Sequence, residues 1–170
     1  IRIGDPLDLS NDTGAVSSAA QLEQDLNYID IAKREGGRLV TGGNRLLEET
    51  GGYYLEPTIF DAITPDMTLA QKEVFGPVLA VTTFKNEEDA VRLANESDFG
   101  LAAAVWTADL SVAHRMIRAV RAGVIHVNTY GGTDITVPMG GVKQSGNGHD
   151  KSLHALNKFC DLKTAWIALG

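Results

Sequence analysis

The chain has 170 residues, of which 44% are hydrophobic and 22% are charged, an ordinary composition for a soluble globular protein with one core. Its net charge of -7 and pI near 5.0 repel polyanions, so nucleic acid is not an expected partner. No apolar run approaches the roughly 20 residues that cross a bilayer, and Ile1-Arg2-Ile3-Gly4-Asp5 has no secretory signal pattern. The single cysteine, Cys160, excludes an internal disulfide. We therefore expect a cytoplasmic protein without a membrane partner.

The first predicted element is an amphipathic helix from Ser18 to Glu35. Ser18 and Gln21 have the spacing of a capping box, in which the hydroxyl and the amide each satisfy a backbone N–H of the other residue. Gly36-Gly37 can supply the left-handed exit at the other end. The apolar residues at helical spacing are Leu22, Leu26 and Ile29.

Strands alternate with helices in the middle of the chain. The β-prone apolar runs that predict strands are Val78–Phe84, Leu101–Thr107 and Val124–Asn128. Asn86 can cap a helix that ends at Asn95. Asp109 can cap a second helix, which Gly123 ends. This alternation indicates an α/β fold with a mostly parallel sheet and flanking helices. Ligands of such sheets lie beyond the carboxyl ends of the strands, so the segment after Val127 is a candidate site.

Two other segments give weaker patterns. Tyr53–Phe60 is β-prone but contains Pro57, which cannot donate to a ladder, so we expect an edge strand or an irregular extended segment. Near the C-terminus, a helix predicted at Lys151–Phe159 precedes a strand-like tail at Leu162–Leu169.

The glycine-rich segment Gly140–Gly148 superficially suggests a phosphate-binding loop. It does not fit that motif, because a P-loop needs Gly-Lys-Ser/Thr at the start of a helix, and here Lys143 precedes Gln144 and Ser145. A dinucleotide fingerprint of spaced glycines is also absent from the sequence. Local chemistry leaves a structural turn and an anion contact as alternatives.

The histidines and the cysteine predict neither a metal site nor a nucleophile. His149 and His154 are five residues apart, which places them on different faces of a helix, and His114 and His126 stand alone. Phe159 beside Cys160 suggests partial burial, which favours a packed thiol over a reactive one.

Glu73 stands directly before Val74-Phe75-Gly76-Pro77, a stretch too short and too broken for a regular helix. Gly76-Pro77 fixes a turn, so Glu73 and Phe75 would be presented on a rigid corner that enters a strand. A carboxylate there can accept hydrogen bonds from sugar hydroxyls, and a ring can pack on a flat heterocycle. The alternative is a solvated acid beside a core phenylalanine.

Five blocks in order along the chain resemble the aldehyde dehydrogenase superfamily. Lys72-Glu73-Val74-Phe75-Gly76-Pro77-Val78 resembles its Glu-x-Phe-Gly-Pro motif. The other blocks are Tyr54-Leu55-Glu56-Pro57-Thr58-Ile59, Phe99-Gly100-Leu101-Ala102-Ala103-Ala104-Val105, Ala122-Gly123-Val124-Ile125-His126-Val127-Asn128 and Pro138-Met139-Gly140-Gly141-Val142-Lys143-Gln144-Ser145-Gly146. The resemblance implies that the chain is the C-terminal part of such a protein.

The resemblance implies roles for particular residues. Glu73 would hydrogen-bond the nicotinamide ribose of NAD or NADP, and Phe75 would line the nicotinamide side of that site. Asn128 would help to shape the floor of the active site, and the loop Thr129–Met139 would form one wall of the aldehyde tunnel. Many relatives have an aromatic residue where this chain has Met139, which implies a more adaptable tunnel.

The resemblance also bears on the glycine-rich segment and the tail. Lys143 and the glycines that follow it would be structural. The tail Leu162–Leu169 resembles the strand through which subunits associate. Residues 1–160 would then be the C-terminal part of a catalytic domain, and residues 161–170 an oligomerisation strand in a homodimer or homotetramer.

Other parts of the family's catalytic machinery match nothing in this chain. In the family a cysteine thiolate attacks the aldehyde, and hydride then passes to the nicotinamide. That cysteine, a general-base glutamate, an oxyanion-holding asparagine and the dinucleotide-binding domain lie upstream of the block that begins Gly4-Asp5-Pro6. Cys160 matches no catalytic motif, so we assign no catalytic residue.

The resemblance therefore predicts a piece of an NAD(P)-dependent enzyme that oxidises a small-molecule aldehyde to a carboxylic acid. Alone, the piece would be inactive. A non-catalytic association module and an independent binding domain that uses Glu73 are the alternatives.

Within the superfamily, Val137-Pro138 and Gly146–Leu156 resemble dehydrogenases of γ-glutamyl-γ-aminobutyraldehyde and guanidinobutyraldehyde, which belong to polyamine catabolism. That resemblance implies an aminoaldehyde substrate. Asp134 could then face its polar or cationic end, and an exposed loop acid is the alternative.

Overall fold

The computed structural model describes residues 1–132 and 134–170, which form two compact units, residues 1–89 and 90–170. The helices are α1 (Ala19–Glu35), α2 (Thr68–Gln71), α3 (Glu87–Glu96) and α4 (Leu110–Ala119). The strands are β1 (Arg38–Thr41), β2 (Arg45–Leu46), β3 (Tyr54–Leu55), β4 (Thr58–Asp61), β5 (Val78–Ala80), β6 (Ala102–Val105) and β7 (Val124–Val127). The predicted α/β class, with parallel strands and flanking helices, is confirmed. None of the described helices has the length and apolar character needed to span a membrane.

Helix α1 begins and ends at the residues that its sequence predicts. The Ser18 hydroxyl accepts a hydrogen bond from the Gln21 N–H at 3.1 Å, and Gly36 takes the left-handed conformation with φ of 100°. The reciprocal half of the capping box is wrong, because the Gln21 amide turns instead toward Asp25 and Val74. Those contacts lie at the corner of residues 72–77, which is described below.

Unit 1 is built on a three-stranded sheet in the order β1-β4-β5, with β1 antiparallel and β5 parallel to the central β4. The predicted edge position for Tyr53–Phe60 is therefore wrong for its second half. Pro57 lies between β3 and β4, so its missing N–H is outside both ladders. The buried core of the unit comprises Leu22, Ile29, Ala32, Leu55, Phe60, Ile63, Leu69 and Val74.

Unit 2 contains the parallel pair β6 and β7, aligned from Ala102 opposite Val124 to Val105 opposite Val127. Helix α4 connects them and is capped as predicted by Asp109, whose Oδ1 accepts from the Ser111 N–H at 2.7 Å. The helix ends at Ala119, before the predicted Gly123. The Asn95 amide explains this end, because its Nδ2 donates to the Ala119 carbonyl and its Oδ1 accepts from the Arg121 N–H.

The three strands predicted for one parallel sheet lie in two ladders. Strand β5 pairs with β4 in unit 1, whereas β6 and β7 pair with each other in unit 2. Each strand is also shorter than its apolar run. Val81 and Phe84, beyond the end of β5, are 39% and 62% exposed, so hydrophobicity alone overestimates the strand.

The predicted helix at Lys151–Phe159 and the predicted partial burial of Cys160 are wrong in detail. A 3₁₀-helix at Leu153–Phe159 replaces the expected helix, and residues 160–170 form neither helix nor strand. Cys160 is exposed rather than partly buried. A strand needs a neighbouring edge, and no strand in the described part of the chain pairs with the tail.

Candidate functional site

Residues 72–77, which we call the Glu73 corner, connect α2 to β5 in unit 1. Phe75 at its centre has φ of 62°, the left-handed region that costs a residue with a side chain about 1–2 kcal/mol. Its ring is 76% exposed, so the alternative of a core phenylalanine is wrong. A strained and exposed residue persists only when its surroundings hold it in place.

Helix α1 holds the corner through two glutamine side chains. The carbonyl oxygen of Val74, a residue only 7% exposed, accepts hydrogen bonds from the Gln21 Nε2 at 3.0 Å and the Gln24 Nε2 at 3.1 Å. Both lone pairs of that carbonyl are thus engaged. Local sequence patterns do not reveal these partners, because they are 53 and 50 residues away along the chain.

Asp25 lies beneath the same corner and is fully buried. Its Oδ1 accepts a hydrogen bond from the Gln21 Nε2 at 2.6 Å, and within the described residues its Oδ2 has no partner. Burial raises the pKa of the Asp25 carboxyl above its ordinary value, and the Gln21 hydrogen bond acts in the opposite direction. The sequence held a signal for this burial, since Asp25 is four residues before Ile29 on the apolar face of α1.

Gly76 makes the close approach of Asp25 possible. A Cβ at this position would overlap the Asp25 carboxylate, well inside the 3.0 Å below which something must shift. Glycine is therefore required here by the space that the carboxylate occupies.

The outer side of the corner is open to solvent. Glu73 is exposed, and none of the described residues hydrogen-bonds its carboxylate. Glu73 and Phe75 line a concavity of about 470 Å³ together with Leu69, Val78 and Ala80. A free carboxylate beside an exposed ring suits a ligand that combines hydroxyl donors with a flat heterocycle, such as a nicotinamide riboside.

In unit 2, Asn128 follows β7 with φ of 54°. Its Nδ2 donates to the Thr107 carbonyl and its Oδ1 accepts from the Thr107 N–H, both at 2.9 Å. Its own N–H donates to the Val105 carbonyl. The side chain therefore joins the carboxyl ends of β6 and β7, where a site is predicted from the sequence. Half of its hydrogen-bonding capacity is engaged by backbone groups.

The predicted tunnel wall Thr129–Met139 also lies in unit 2, although Thr133 falls outside the described residues. Asp134 is exposed, and its Oδ1 accepts from both the N–H and the hydroxyl of Thr136 at 2.7 Å. These hydrogen bonds hold the pKa of Asp134 below its ordinary value, so the carboxylate is charged at neutral pH. Met139 is half-buried and exchanges backbone hydrogen bonds with Asp150 at 2.8 and 2.7 Å.

The glycine-rich segment is anchored by Lys143. Its Nζ donates to the carbonyl oxygens of Asn95 and Ser97, both at 2.8 Å. The Ser145 hydroxyl accepts from the Gly100 N–H at 2.9 Å. With its ammonium engaged by two carbonyls, Lys143 supports the structural-turn alternative over the anion contact.

Side chains that could ligate a metal are dispersed. Across residues 1–132 and 134–170, no group of three or more histidine, cysteine, aspartate or glutamate side chains could hold a metal ion.

Each of the two units carries some of the predicted site residues on an α/β framework. Unit 1 brings Glu73 and Phe75 together on an anchored corner, and unit 2 contains Asn128, Asp134 and Met139 at and beyond the carboxyl end of β7. The model of the aldehyde dehydrogenase family matches residues 1–165, and the chain belongs to that family. The resemblance stated from the sequence is confirmed.

Particular relatives are similar over nearly the whole chain. The NADP/NAD-dependent aldehyde dehydrogenase PuuC of Escherichia coli (strain K12) is 49% identical over 166 residues, covering 98% of this chain and 33% of that protein. A betaine aldehyde dehydrogenase of Cereibacter sphaeroides (strain ATCC 17029 / ATH 2.4.9) is 46% identical over 170 residues, covering 100% of this chain and 35% of that protein. The chain therefore spans about a third of the length of these curated relatives.

Solved structures give the same result for the fold. An indole-3-acetaldehyde dehydrogenase complexed with NAD+ has a TM-score of 0.94 and 53% identity, covering 99% of this chain and 34% of that one. The aldehyde dehydrogenase KauB from Pseudomonas aeruginosa has the same TM-score, identity and coverage.

Proposed function

We propose that the whole protein containing this chain oxidises an aldehyde to a carboxylic acid with NAD or NADP, and that the Glu73 corner forms part of its cofactor site. The observation that carries this proposal is a free carboxylate beside an exposed ring on a corner whose backbone is anchored from below. Membership of the family supports it, as does a relative solved with NAD+. The nicotinamide group, when bound, supplies the hydride acceptor.

The residues of this chain position that group. The Glu73 carboxylate accepts hydrogen bonds from ribose hydroxyls, and the Phe75 ring covers one side of the nicotinamide and excludes water there. Asn128 fixes the ends of β6 and β7, so the loop that follows it leaves from a rigid platform. The attacking thiolate of the family has no match in this chain, so the isolated 170 residues are inactive under this proposal.

An aminoaldehyde is the substrate class that we propose. Asp134 supports it, because a carboxylate that is exposed and ionised at neutral pH favours a substrate with a cationic end. Met139 lies in the same loop and is half-buried, and the flexible methionine side chain can adjust to aldehydes of different length. Assaying aminoaldehydes against uncharged aldehydes of equal length tests this, and equal kcat/KM values for both would refute it.

Replacing Glu73 with glutamine is expected to weaken cofactor binding by the whole protein about tenfold. The amide keeps the size and one acceptor oxygen but loses the charge, and hydrogen bonds to charged groups contribute roughly 1.5–3 kcal/mol. The dissociation constant for NAD+, measured by calorimetry, and NADH formation with aldehyde check this. Glu49→Gln, another exposed glutamate of unit 1, is the matched control. Unchanged affinity and turnover in Glu73→Gln would remove Glu73 from the cofactor site.

We further propose that residues 161–170 mediate association between copies of the protein. Leu162, Trp166 and Leu169 are 104%, 93% and 92% exposed, and such apolar surface is characteristic of an interface. Trp166→Asp with Ile167→Asp is expected to reduce the mass of the whole protein in sedimentation to that of a smaller assembly. Asp161→Asn, in the same segment, should leave the mass unchanged. An undiminished mass in the double variant would exclude the tail as the interface.

A further inference from the structure

Asp25 is one of two buried polar or charged side chains in the described part of the chain, with Thr58 as the other. A carboxylate taken out of water costs free energy unless its partners compensate, and here only Oδ1 has one. An apolar residue would pack on this face of α1 without that cost, since Leu22 and Ile29 flank Asp25 in the core. The carboxylate therefore needs an explanation other than stability.

The hydrogen bonds of Asp25 lead directly to the Glu73 corner. Both N–H groups of the Gln21 amide are engaged, one by the Asp25 Oδ1 at 2.6 Å and one by the Val74 carbonyl at 3.0 Å. The Asp25 Oδ1 and the Val74 carbonyl are both acceptors, so both require the Gln21 amide to point its nitrogen, not its oxygen, toward them. Without the carboxylate, the Val74 carbonyl alone holds the Gln21 amide, which is then free to turn about that single hydrogen bond.

Asp25 also contacts the corner from the other side of Phe75. Its carboxylate fills the space that a Cβ of Gly76 would occupy. The buried Asp25 carboxylate thus fixes the residues on either side of Phe75. It holds Val74 through the Gln21 amide and Gly76 through direct contact. Such double restraint accounts for the left-handed φ of 62° at Phe75.

We propose that Asp25 is a positioning residue for the cofactor site: it orients the Gln21 amide and supports Gly76, and thereby sets where Glu73 and Phe75 meet the nicotinamide riboside. This inference rests on the proposed function, because the corner must bind a cofactor for its position to matter. Asp25 itself does not touch the ligand.

The test compares variants of the whole protein by two measurements, the dissociation constant for NAD+ and the melting temperature. Asp25→Leu keeps the number and branching of the heavy atoms but removes the acceptor. We expect binding to weaken about tenfold, since a displaced Glu73 loses a charge-assisted hydrogen bond to the cofactor. Its melting temperature should be equal to or above that of wild type, because the buried charge is gone. Asp25→Asn retains an acceptor for Gln21 and should recover most of the lost affinity.

Two further variants separate positioning from stability. Ile29→Ala, one turn further along α1 at a residue 1% exposed, should lower the melting temperature yet leave the NAD+ affinity within about twofold of wild type. Gln21→Met should weaken binding as Asp25→Leu does, and it also replaces that variant if Asp25→Leu does not fold. The Asp25→Leu/Gln21→Met double variant should be no weaker than either single variant, because both act through the same hydrogen bonds.

Wild-type affinity in Asp25→Leu or Gln21→Met would overturn the proposal. So would a loss of affinity that follows the melting temperature across all variants, Ile29→Ala included. A wild-type protein that binds no NAD+ and oxidises no aldehyde would instead refute the proposed function, and this inference with it. If wild type binds NAD+ and Asp25→Leu and Gln21→Met bind it equally well, the inference alone is refuted.

Discussion

Replacing Gly76 with alanine is expected to displace the Glu73 corner and to lower the free energy of unfolding by about 3 kcal/mol. The added Cβ would overlap the Asp25 carboxylate, which is short, fully buried and unable to swing away as a long side chain could. Urea denaturation measures the loss of stability, and calorimetry of the whole protein measures the accompanying loss of NAD+ affinity, which should exceed that of Glu73→Gln.

A compensating variant makes this prediction specific. Asp25→Ala frees the space for the new methyl group, so the Gly76→Ala/Asp25→Ala double variant should be more stable than Gly76→Ala alone. Gly132→Ala is the matched control, because nothing lies within 4 Å of a Cβ at that position. If Gly76→Ala unfolds at the same urea concentration as Gly132→Ala, the Asp25 carboxylate moves aside without cost and the prediction is wrong.

Replacing Gly123 with alanine is expected to be at least as damaging in unit 2, with a loss of about 3 kcal/mol. A Cβ there would overlap the Gly140 carbonyl oxygen and lie 2.8 Å from the carbonyl carbon and 3.3 Å from the Gly141 Cα. All three obstacles are backbone atoms, so relief requires the whole segment to move. Movement of this segment would disturb the contacts of Lys143 with the Asn95 and Ser97 carbonyls.

Two measurements check the Gly123 prediction. Urea denaturation should show the loss of stability relative to the Gly132→Ala variant, and limited proteolysis should cut the segment 140–148 faster than in wild type. A variant with wild-type cleavage rates and stability would show that the segment adapts without cost.

The sequence predicted well those features that depend on near neighbours. The caps at Ser18, Gly36 and Asp109 follow from side chains or backbone freedom within three residues of a helix end, and all three are confirmed. The exposed corner is also predictable, because a Gly-Pro pair such as Gly76-Pro77 interrupts regular secondary structure and favours a turn. Phe75 consequently stands in solvent as expected.

Features that depend on distant partners were not predictable from the sequence. Val74 owes its fixed position to glutamines 53 and 50 residues earlier, and α4 ends where the Asn95 amide meets it. The pairing of β5 with β4 rather than with β6 was not predictable either, because several apolar runs of similar composition could pair with β5. The tail shows the same limit, since a strand-like composition forms a strand only beside an available edge.

Ionic strength should act unevenly on the two units because of how Lys143 is held. Its ammonium is bound by two neutral carbonyls, so salt has no opposite charge on a partner to screen. Arg38 and Asp61, which connect β1 to β4 in unit 1, form an ion pair with the arginine side chain 75% exposed, and dissolved ions weaken such pairs. At high salt concentration the segment that follows Met139 therefore retains the hydrogen bonds of Lys143, whereas the ion pair between Arg38 and Asp61 weakens.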